Sequence, residues 1–281
     1  METPLTVVVL AAGLGTRMKS RKAKVLHRAG GRFLIEHVLR TALALAPPER
    51  IFVVVGHQAA EVRAAVAAAG IGGGFGFIEQ GEQKGTGHAL MVAADRLSPL
   101  DGRLVVLYGD CPLVRPGTLE GLVAAQESSG AAGAILTAMM PDPTGYGRVL
   151  RDANGRVTGV VEQRAGTPEQ LAIREANMGL YCYRAEPFWR HIQELRPDNP
   201  AHEYYLTDMV EILRRAGHEI AAFRIDDARE VLGINDREEL AVVDRLLRQR
   251  KVRELMLGGV TVEKPETVTV DPDVTIGIDT I

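Results

Sequence analysis

Short apolar runs alternate with longer, helix-like stretches through the first half of the chain. The apolar runs are rich in β-branched residues and predict buried strands at Val7–Leu10, Ile51–Val55, Phe75–Glu79, Leu104–Tyr108 and Ala134–Met139. Alanine- and leucine-rich stretches between them predict helices at Phe33–Leu45, Ala59–Ala69, Gly87–Ala94 and Gly117–Glu127. This alternation predicts an α/β fold with a mostly parallel sheet covered on both faces, in which right-handed crossovers join the strands.

The pattern changes after residue 140. Two runs of alternating polar and apolar residues flank Asn154-Gly155, between Gly147 and Glu162, and predict an inserted β-hairpin beside the ligand cleft. Helices are predicted at Ala201–Gly217 and at Asp236–Leu257. The second of these carries an apolar stripe that includes Leu240, Val243, Leu246 or Leu247, and Leu255.

The last stretch consists of short β-type runs broken by Pro, Asp and Gly. Ile276-Gly277 followed by Ile281 fits the first coil of a hexapeptide β-helix. One coil cannot bury its own face, so we expect a truncated product whose natural continuation is a β-helical domain. A frayed C-terminal strand is the alternative.

The loop after the first predicted strand is suited to binding an anion. Gly13 and Gly15 permit positive φ, and successive N–H groups in such a turn attract phosphates. Arg17 and Lys24 add positive charge. Met18 stands where the dinucleotide fingerprint needs a third glycine, and the loop does not end in the Gly-Lys-Ser/Thr of a P-loop. On glycine spacing alone, an ordinary strand-to-helix turn with surface bases is an equal alternative.

Composition narrows the class of protein. The 33 basic and 36 acidic side chains give a formal net charge of −3, which argues against nucleic acid as the main partner. Cys111 and Cys182 provide neither a disulfide framework nor a metal-ligand set. No apolar run is long enough to cross a bilayer, so no membrane partner is expected, and the start Met-Glu-Thr-Pro lacks the basic flank of a signal peptide. A cytoplasmic enzyme is the expectation.

Two oxygen-bearing side chains are candidate metal ligands. Asp110 follows the predicted strand Leu104–Tyr108, where a carboxylate facing a phosphate loop suits Mg²⁺, although it could instead satisfy a turn or cap a helix. Asn235 fits the first position of a capping box, but Asp236 fits the same pattern one residue later. If Asp236 is the cap, the Asn235 amide oxygen is free to coordinate a metal.

A polar loop before the predicted helix Gly87–Ala94 is a candidate base-binding segment. The Gln80 amide has donors and an acceptor and can read the edge of a base. Gly85 and Thr86 lie at a helix N-terminus, where backbone N–H groups contact polar ligands. A simple N-cap formed by Thr86 is the alternative. His88 is expected to pack into the helix start, and Cys111 is expected to be a small buried residue without a catalytic role.

Taken together, these segments resemble a known family. Leu10 to Met18, with Lys24 to His27, resembles the signature of sugar-1-phosphate nucleotidylyltransferases. Further segments narrow the resemblance to the bacterial bifunctional N-acetylglucosamine-1-phosphate uridylyltransferase / glucosamine-1-phosphate acetyltransferase family. They are Gln80 to His88, Tyr108 to Asp110, Gly145 to Arg148, Glu162, Glu175 to Asn177, Glu203 to Asp208 and Gly233 to Asn235.

The resemblance implies a domain arrangement. Residues 1–235 would form a Rossmann-like uridylyltransferase domain with a mixed, mostly parallel sheet and an inserted hairpin. Residues 236–257 would form a helical linker arm, and residues 258–281 the first edge of a left-handed parallel β-helix. Because the rest of that acetyltransferase domain is missing, no acetyl-CoA turnover is expected. A homotrimer is expected for the full-length family member.

The resemblance also implies roles for individual residues. The reaction would join UTP to N-acetylglucosamine 1-phosphate with Mg²⁺ as cofactor, for peptidoglycan and lipopolysaccharide precursors. Arg17, Lys24 and Asp110 would be catalytic, and Asp110 and Asn235 would bind the metal. Substrates would be bound by Leu10, Ala11, Ala12, Gly13, Gly15, Thr16, Lys24, Gln80, Gly85, Thr86, Tyr108, Gly109, Gly147, Glu162, Asn177 and Asn235. A nucleotidylyltransferase for another sugar or nucleotide, and a non-catalytic relative that binds sugar nucleotides, are the competing hypotheses.

Overall fold

A mixed sheet lies at the centre of the computed structural model, which describes residues 3–56 and 58–281. Within those residues nine strands join this sheet, and a separate two-stranded ribbon lies beside it. The strands are β1 (Leu5–Ala11), β2 (Arg28–Ala29), β3 (Arg32–Phe33), β4 (Ile51–Val55), β5 (Gly76–Glu79), β6 (Arg103–Tyr108), β7 (Gly133–Met139), β8 (Gly147–Arg151), β9 (Val157–Val161), β10 (Glu175–Arg184) and β11 (Ile220–Ile225). Each of the five predicted strands is confirmed within two residues of its expected ends.

Helices cover both faces of the sheet. They are α1 (Leu34–Leu43), α2 (Ala59–Ala68), α3 (Thr86–Leu97), α4 (Pro116–Ser129), α5 (Pro168–Leu171), α6 (Ala185–His191), α7 (Asp208–Arg215) and α8 (Arg237–Leu257). The four helices predicted in the first half are confirmed. Among the described residues, no helix is both long and apolar enough to cross a bilayer. The expectation about the start of the chain involves Met1 and Glu2, which lie outside the described residues.

The strand order across the main sheet is β11-β7-β10-β6-β1-β4-β5. All neighbours on this path are parallel except β10, which is antiparallel to both β6 and β7. The prediction of a mostly parallel sheet is therefore confirmed. Strands β4 and β6 end within one residue of the end of β1, with Val55 opposite Ala11 and Tyr108 opposite Leu10, so the three carboxyl ends meet at one edge.

Strand β1 shows why the sheet is buried on both sides. Val7 and Val9 pack in the hydrophobic cluster that includes α1 and α2, whereas Val8 and Leu10 pack in the cluster that includes α3 and α7. All four side chains are buried. A continuous apolar run is the pattern expected for a strand covered by helices on both faces.

The predicted inserted hairpin is present. Strands β8 and β9 pair antiparallel, and β8 also pairs with the beginning of β10. Asp152 closes the turn, because its Oδ1 accepts from the backbone N–H groups of Asn154 and Arg156. Gly155 has a φ of 77°, a conformation that glycine adopts without strain. The hairpin thus adds a wall beside the carboxyl ends of the main strands.

The helix predicted at Ala201–Gly217 is wrong in its first part, because helical structure begins only with α7 at Asp208. The preceding residues bond to a distant loop: Tyr204 N–H donates to Lys84 O, and Gly87 N–H donates to Tyr204 O, both at 2.8 Å. His202 has a φ of 54°, outside the helical region. Partners more than a hundred residues away therefore override the local helical pattern.

The C-terminal residues form turns without strands from Gly258 onwards. Thr261 N–H donates to Thr280 O at 2.8 Å, and Asp279 N–H donates to Gly259 O at 2.9 Å. These bonds bring the two ends of the segment together. The expected start of a β-helix is not confirmed by this arrangement.

Candidate active site

A cleft of about 560 Å³ opens at the carboxyl ends of β1 and β6. Ligands of open α/β sheets bind at this edge. The predicted site residues that line the cleft are Leu10, Ala11, Ala12, Gly13, Gly15, Thr16, Arg17, Lys24, Gln80, Gly85, Thr86, Tyr108, Asp110, Gly147, Glu162, Asn177 and Asn235. Gly109 is not among the lining residues, and its backbone N–H donates to Leu10 O at 2.9 Å.

The loop after β1 forms one wall of the cleft. Gly15 has a φ of 60°, and a Cβ at this position would come within 2.8 Å of Lys24 Cβ. Glycine therefore lets the loop approach the stem of Lys24. The Arg17 side chain is exposed, whereas the neighbouring Met18 is 1% exposed. The loop thus presents a cation to solvent while one apolar side chain holds it against the core.

The anchor of this loop comes from the far end of the chain. Met18 packs in a small apolar cluster that includes Ile234, which precedes α8, and Val243, which lies in α8. The Nε of Arg237 donates to the carbonyl oxygen of Met18 at 3.2 Å. Helix α8 therefore holds the loop by both packing and a backbone hydrogen bond.

Three polar side chains meet at the floor of the cleft. The Lys24 ammonium donates to Oδ2 of Asp110, and its Nζ lies 3.4 Å from Oδ1 of Asn235. The Lys24 and Asp110 side chains are 15% and 14% exposed. Oδ2 of Asp110 and Oδ1 of Asn235 therefore both face the Lys24 ammonium, so this position in the cleft attracts a positive charge.

This donor set fits a magnesium ion. Mg²⁺ prefers oxygen ligands and is usually held by one or two protein oxygens together with water and substrate phosphates. Among the described residues, no group of three or more His, Cys, Asp or Glu side chains is arranged to hold a metal. Two protein oxygens beside the loop after β1 match a cation that takes its remaining ligands from water or from a bound molecule.

The structure resolves which residue caps α8. The Asp236 Oδ1 accepts from the backbone N–H groups of Glu238 and Glu239, both at 2.9 Å, so Asp236 is the N-cap. The Asn235 backbone N–H donates to Oε2 of Glu239. The Asn235 side chain is therefore not used for capping, and its oxygen faces Lys24.

The candidate base-binding segment, residues 80–88, forms a second wall of the cleft. The Gln80 side chain is buried, and its Nε2 donates to Gly85 O at 3.2 Å and contacts Nδ1 of His88 at 3.0 Å. Gly85 has a φ of 109°, and a Cβ there would lie 2.6 Å from Tyr204 O. These contacts fix the orientation of the Gln80 amide. Thr86 does not cap its own helix; its Oγ1 accepts from Leu206 N–H at 3.2 Å.

The third wall combines the inserted hairpin with β10. Asn177 pairs with Gly147 in the antiparallel ladder, and its Nδ2 donates to the hydroxyl of Tyr181 at 2.8 Å. Oε1 of Glu162 accepts from the Thr207 hydroxyl at 2.9 Å. Burial raises the pKa of the Glu162 carboxyl, and burial also raises the pKa of the Tyr108 hydroxyl. This wall carries both hydrogen-bond donors and hydrogen-bond acceptors, which are the groups that suit a polar ligand.

Several lining residues were given no role from the sequence. Tyr146, Glu203 and Thr207 lie inside segments quoted for the family resemblance, so their sequence neighbourhood was the available signal. Gln83 also lines the cleft. Cys111 is buried as expected, and burial raises the pKa of its thiol.

Comparisons with known proteins agree with this geometry. The profile described as "MobA-like NTP transferase domain" matches residues 7–170. The chain is 63% identical over 281 residues to "Bifunctional protein GlmU" of Solibacter usitatus, covering 100% of this chain and 59% of that relative. It is 47% identical over 278 residues to "Bifunctional protein GlmU" of Koribacter versatilis, covering 98% and 58%. The chain thus spans less than two thirds of the length of these relatives.

A solved structure shares the fold. The nucleoside-diphosphate-sugar pyrophosphorylase from Vibrio cholerae RC9 superposes with a TM-score of 0.66 at 20% identity, over 85% of this chain and 99% of that one. The likeness confirms a mixed α/β nucleotidyltransferase fold with a mostly parallel sheet flanked by helices.

Proposed function

The chain belongs to the MobA-like NTP transferase family, and on that premise we propose that it joins UTP to N-acetylglucosamine 1-phosphate. The products are UDP-N-acetylglucosamine and pyrophosphate. The match to the NTP transferase profile over residues 7–170 supports a nucleoside triphosphate as one substrate. The observation that carries the proposal is one cleft in which the phosphate loop, the Lys24–Asp110–Asn235 group and a wall of sugar-type hydrogen-bonding groups face one another.

In the proposed reaction, a phosphate oxygen of the sugar phosphate attacks the α-phosphorus of UTP. The new P–O bond forms in line with the bond that breaks, which joins the α-phosphorus to the oxygen bridging to the β-phosphate. The β- and γ-phosphates leave together as pyrophosphate. The attacking phosphate is already ionised at neutral pH, so no general base is needed. Repulsion between two anions dominates the barrier, and the chain lowers it by positioning and by electrostatics.

The residues divide this work between them. Backbone groups from Leu10 to Gly13 lie along the nucleotide, while Gly15, Thr16, Arg17 and Lys24 lie beside its phosphates. Gln80, Gly85 and Thr86 hold the uracil, and Tyr108, Gly147, Glu162 and Asn177 hold the sugar. Gly109 supports this site from behind, since its N–H is bonded to Leu10 O.

A divalent cation completes the proposed site. Asp110 and Asn235 would be its protein ligands, because Oδ2 of Asp110 and Oδ1 of Asn235 both face the Lys24 ammonium. Bound Mg²⁺ would supply positive charge that screens the reacting phosphates from each other. Lys24 and Arg17 stabilise the charge that develops on the leaving pyrophosphate.

The wider arrangement is part of the same proposal. Residues 1–235 form the uridylyltransferase domain, 236–257 a helical arm and 258–281 the first edge of a β-helix. Cytoplasmic location and the homotrimer expected of the full-length family remain predictions. Sedimentation of a full-length relative and of this chain tests the trimer.

Pyrophosphate release tests the activity directly. UTP is combined with N-acetylglucosamine 1-phosphate or glucose 1-phosphate, and other nucleoside triphosphates replace UTP in parallel, each with Mg²⁺ or with EDTA. Turnover is expected to be fastest with UTP and the acetylated sugar and to be lost with EDTA. Faster turnover with glucose 1-phosphate would assign a related nucleotidylyltransferase. Calorimetric binding of UDP-N-acetylglucosamine without pyrophosphate release would indicate a non-catalytic relative.

A further inference from the structure

Arg148 is a charged side chain buried behind the sugar wall of the cleft. It is 2% exposed and is the largest of the fully buried side chains. It lies in β8, immediately after the cleft-lining Gly147. Arginine is rarely fully buried unless its charge is paired, so this position calls for a physical reason.

The guanidinium makes its hydrogen bonds to neutral oxygens. Nη1 donates to the carbonyl oxygen of Tyr146, Nη2 to Oε1 of Gln163 at 2.9 Å, and Nε to the carbonyl oxygen of Leu171 at 3.3 Å. The ion pairs found among residues 3–56 and 58–281 do not include Arg148. A buried charge without a carboxylate in salt-bridge contact costs free energy unless hydrogen bonds satisfy it, so these three oxygens are what allow Arg148 to be buried.

The three acceptors belong to three different segments. Tyr146 lies in the loop before β8, Gln163 follows the cleft-lining Glu162, and Leu171 ends helix α5. Oε1 of Gln163 also accepts from Gly145 N–H at 3.1 Å. The planar fork of arginine reaches several acceptors in fixed directions, which a lysine cannot do.

The segments that Arg148 joins supply one side of the cleft only. They carry Gly145, Tyr146, Gly147 and Glu162. No hydrogen bond of Arg148 reaches the phosphate loop or the Gln80 segment. A change at Arg148 therefore acts on the sugar wall without a direct effect on the nucleotide side.

We infer that Arg148 is a positioning residue for the binding of the sugar phosphate, because it fixes Gly147 and Glu162 relative to each other. It does not touch the substrate; it holds the segments that do. The inference rests on the proposed function for the identity of the sugar. A displacement of about 1 Å in a positioning group is enough to reduce turnover strongly.

The test compares Arg148→Met and Arg148→Lys with Arg151→Met. Arg151 is the matched control because it lies in the same strand but pairs with Glu175 at the surface. Arg148→Met is expected to raise the KM for N-acetylglucosamine 1-phosphate about tenfold, with the KM for UTP changed less than about twofold. Arg148→Lys is expected to be intermediate, since it keeps the charge and loses the fork. Arg151→Met is expected to retain both KM values.

Parallel changes in the two KM values, or an unchanged sugar KM, would overturn the inference. Gln163→Leu is the second variant if Arg148→Met does not fold, because it removes one acceptor shared by Arg148 and Gly145 while retaining the arginine. It is expected to raise the sugar KM alone, and a rise in the UTP KM would contradict the inference. The wild-type substrate panel is separate from both variants, so a failure of the proposed function is recognised independently.

Discussion

The Lys24 ammonium donates to Oδ2 of Asp110 across 86 positions of sequence, with both side chains less than one sixth exposed. The contact joins the phosphate loop to the end of β6. Oδ1 of Asn235, just before α8, lies 3.4 Å from the same nitrogen. One small region therefore links the beginning, middle and end of the proposed nucleotidyltransferase domain, and substitutions there separate the roles of its members.

Asp110→Asn is expected to reduce turnover by about 10²-fold or more, the scale for losing one preorganised electrostatic group. The amide retains the shape of the carboxylate but loses the charge that attracts a divalent cation. Steady-state pyrophosphate release measures the loss. Asp101→Asn is the control, because Asp101 is an exposed aspartate paired with Arg50. Equal turnover of Asp110→Asn and the control would remove Asp110 from the reaction.

Lys24→Ala is also expected to reduce turnover by about 10²-fold. The variant loses the cation that lies beside the substrate phosphates in the proposed complex. Lys22→Ala removes the same charge from the same loop, where its backbone N–H is bonded to Ser20, and is expected to stay close to wild type. If both variants lost activity equally, the effect would come from the net charge of the loop and not from the contact with Asp110.

Asn235 and Asp236 are adjacent, but their substitution is expected to affect different properties: cation binding for Asn235 and stability for Asp236. Asp236→Ala removes the N-cap of α8 and is expected to lower the free energy of unfolding by about 1 kcal/mol. Asn235→Ala leaves the cap intact and is expected to weaken Mn²⁺ binding, with Mn²⁺ replacing Mg²⁺ as the spectroscopic probe. Urea unfolding and electron paramagnetic resonance of free Mn²⁺ measure the two effects. The reverse pattern would mean that the cap and the metal ligand have been exchanged.

Asp208 gives the protein a defined pH dependence. Burial raises the pKa of its carboxyl to about 6, and the nearby charge of Glu162 acts in the same direction. As the pH rises from about 4 to 6, the unfolded chain releases this proton before the folded chain does, so the carboxyl contributes a loss of stability with rising pH. Asp208→Asn is expected to remove this contribution and to become more stable relative to wild type over that interval. Urea midpoints measured at several pH values test this, and a constant difference between the two proteins would contradict it.

The sequence allowed the sheet to be predicted where strands follow one another in parallel. Strand β4, for example, has the predicted bounds Ile51–Val55, because its apolar run is uninterrupted and ends at Gly56. Strand β10 was not predicted, although it lies between β6 and β7 at the centre of the sheet. Its antiparallel insertion depends on partners about 40 to 80 residues away, which periodicity does not reveal.

In the site, too, features set by local sequence could be predicted, and features set by distant partners could not. The loop after β1 and Asp110 could be predicted to lie at the cleft because glycines and a carboxylate directly follow apolar strands. The capping pattern left Asn235 and Asp236 as alternatives, and only the backbone geometry separated them. Arg148 lies in a segment that carries the family resemblance, but its burial could not be predicted because its acceptors come from separate segments.

The bond from Arg237 to the Met18 carbonyl spans 219 positions of sequence. During synthesis β1 and the loop after it emerge long before Arg237, so this loop is made well ahead of its anchor. Contacts of such long range form late because the intervening chain must be ordered first. The loop after β1 can therefore gain this anchor only after α8 has been synthesised and has docked against Met18.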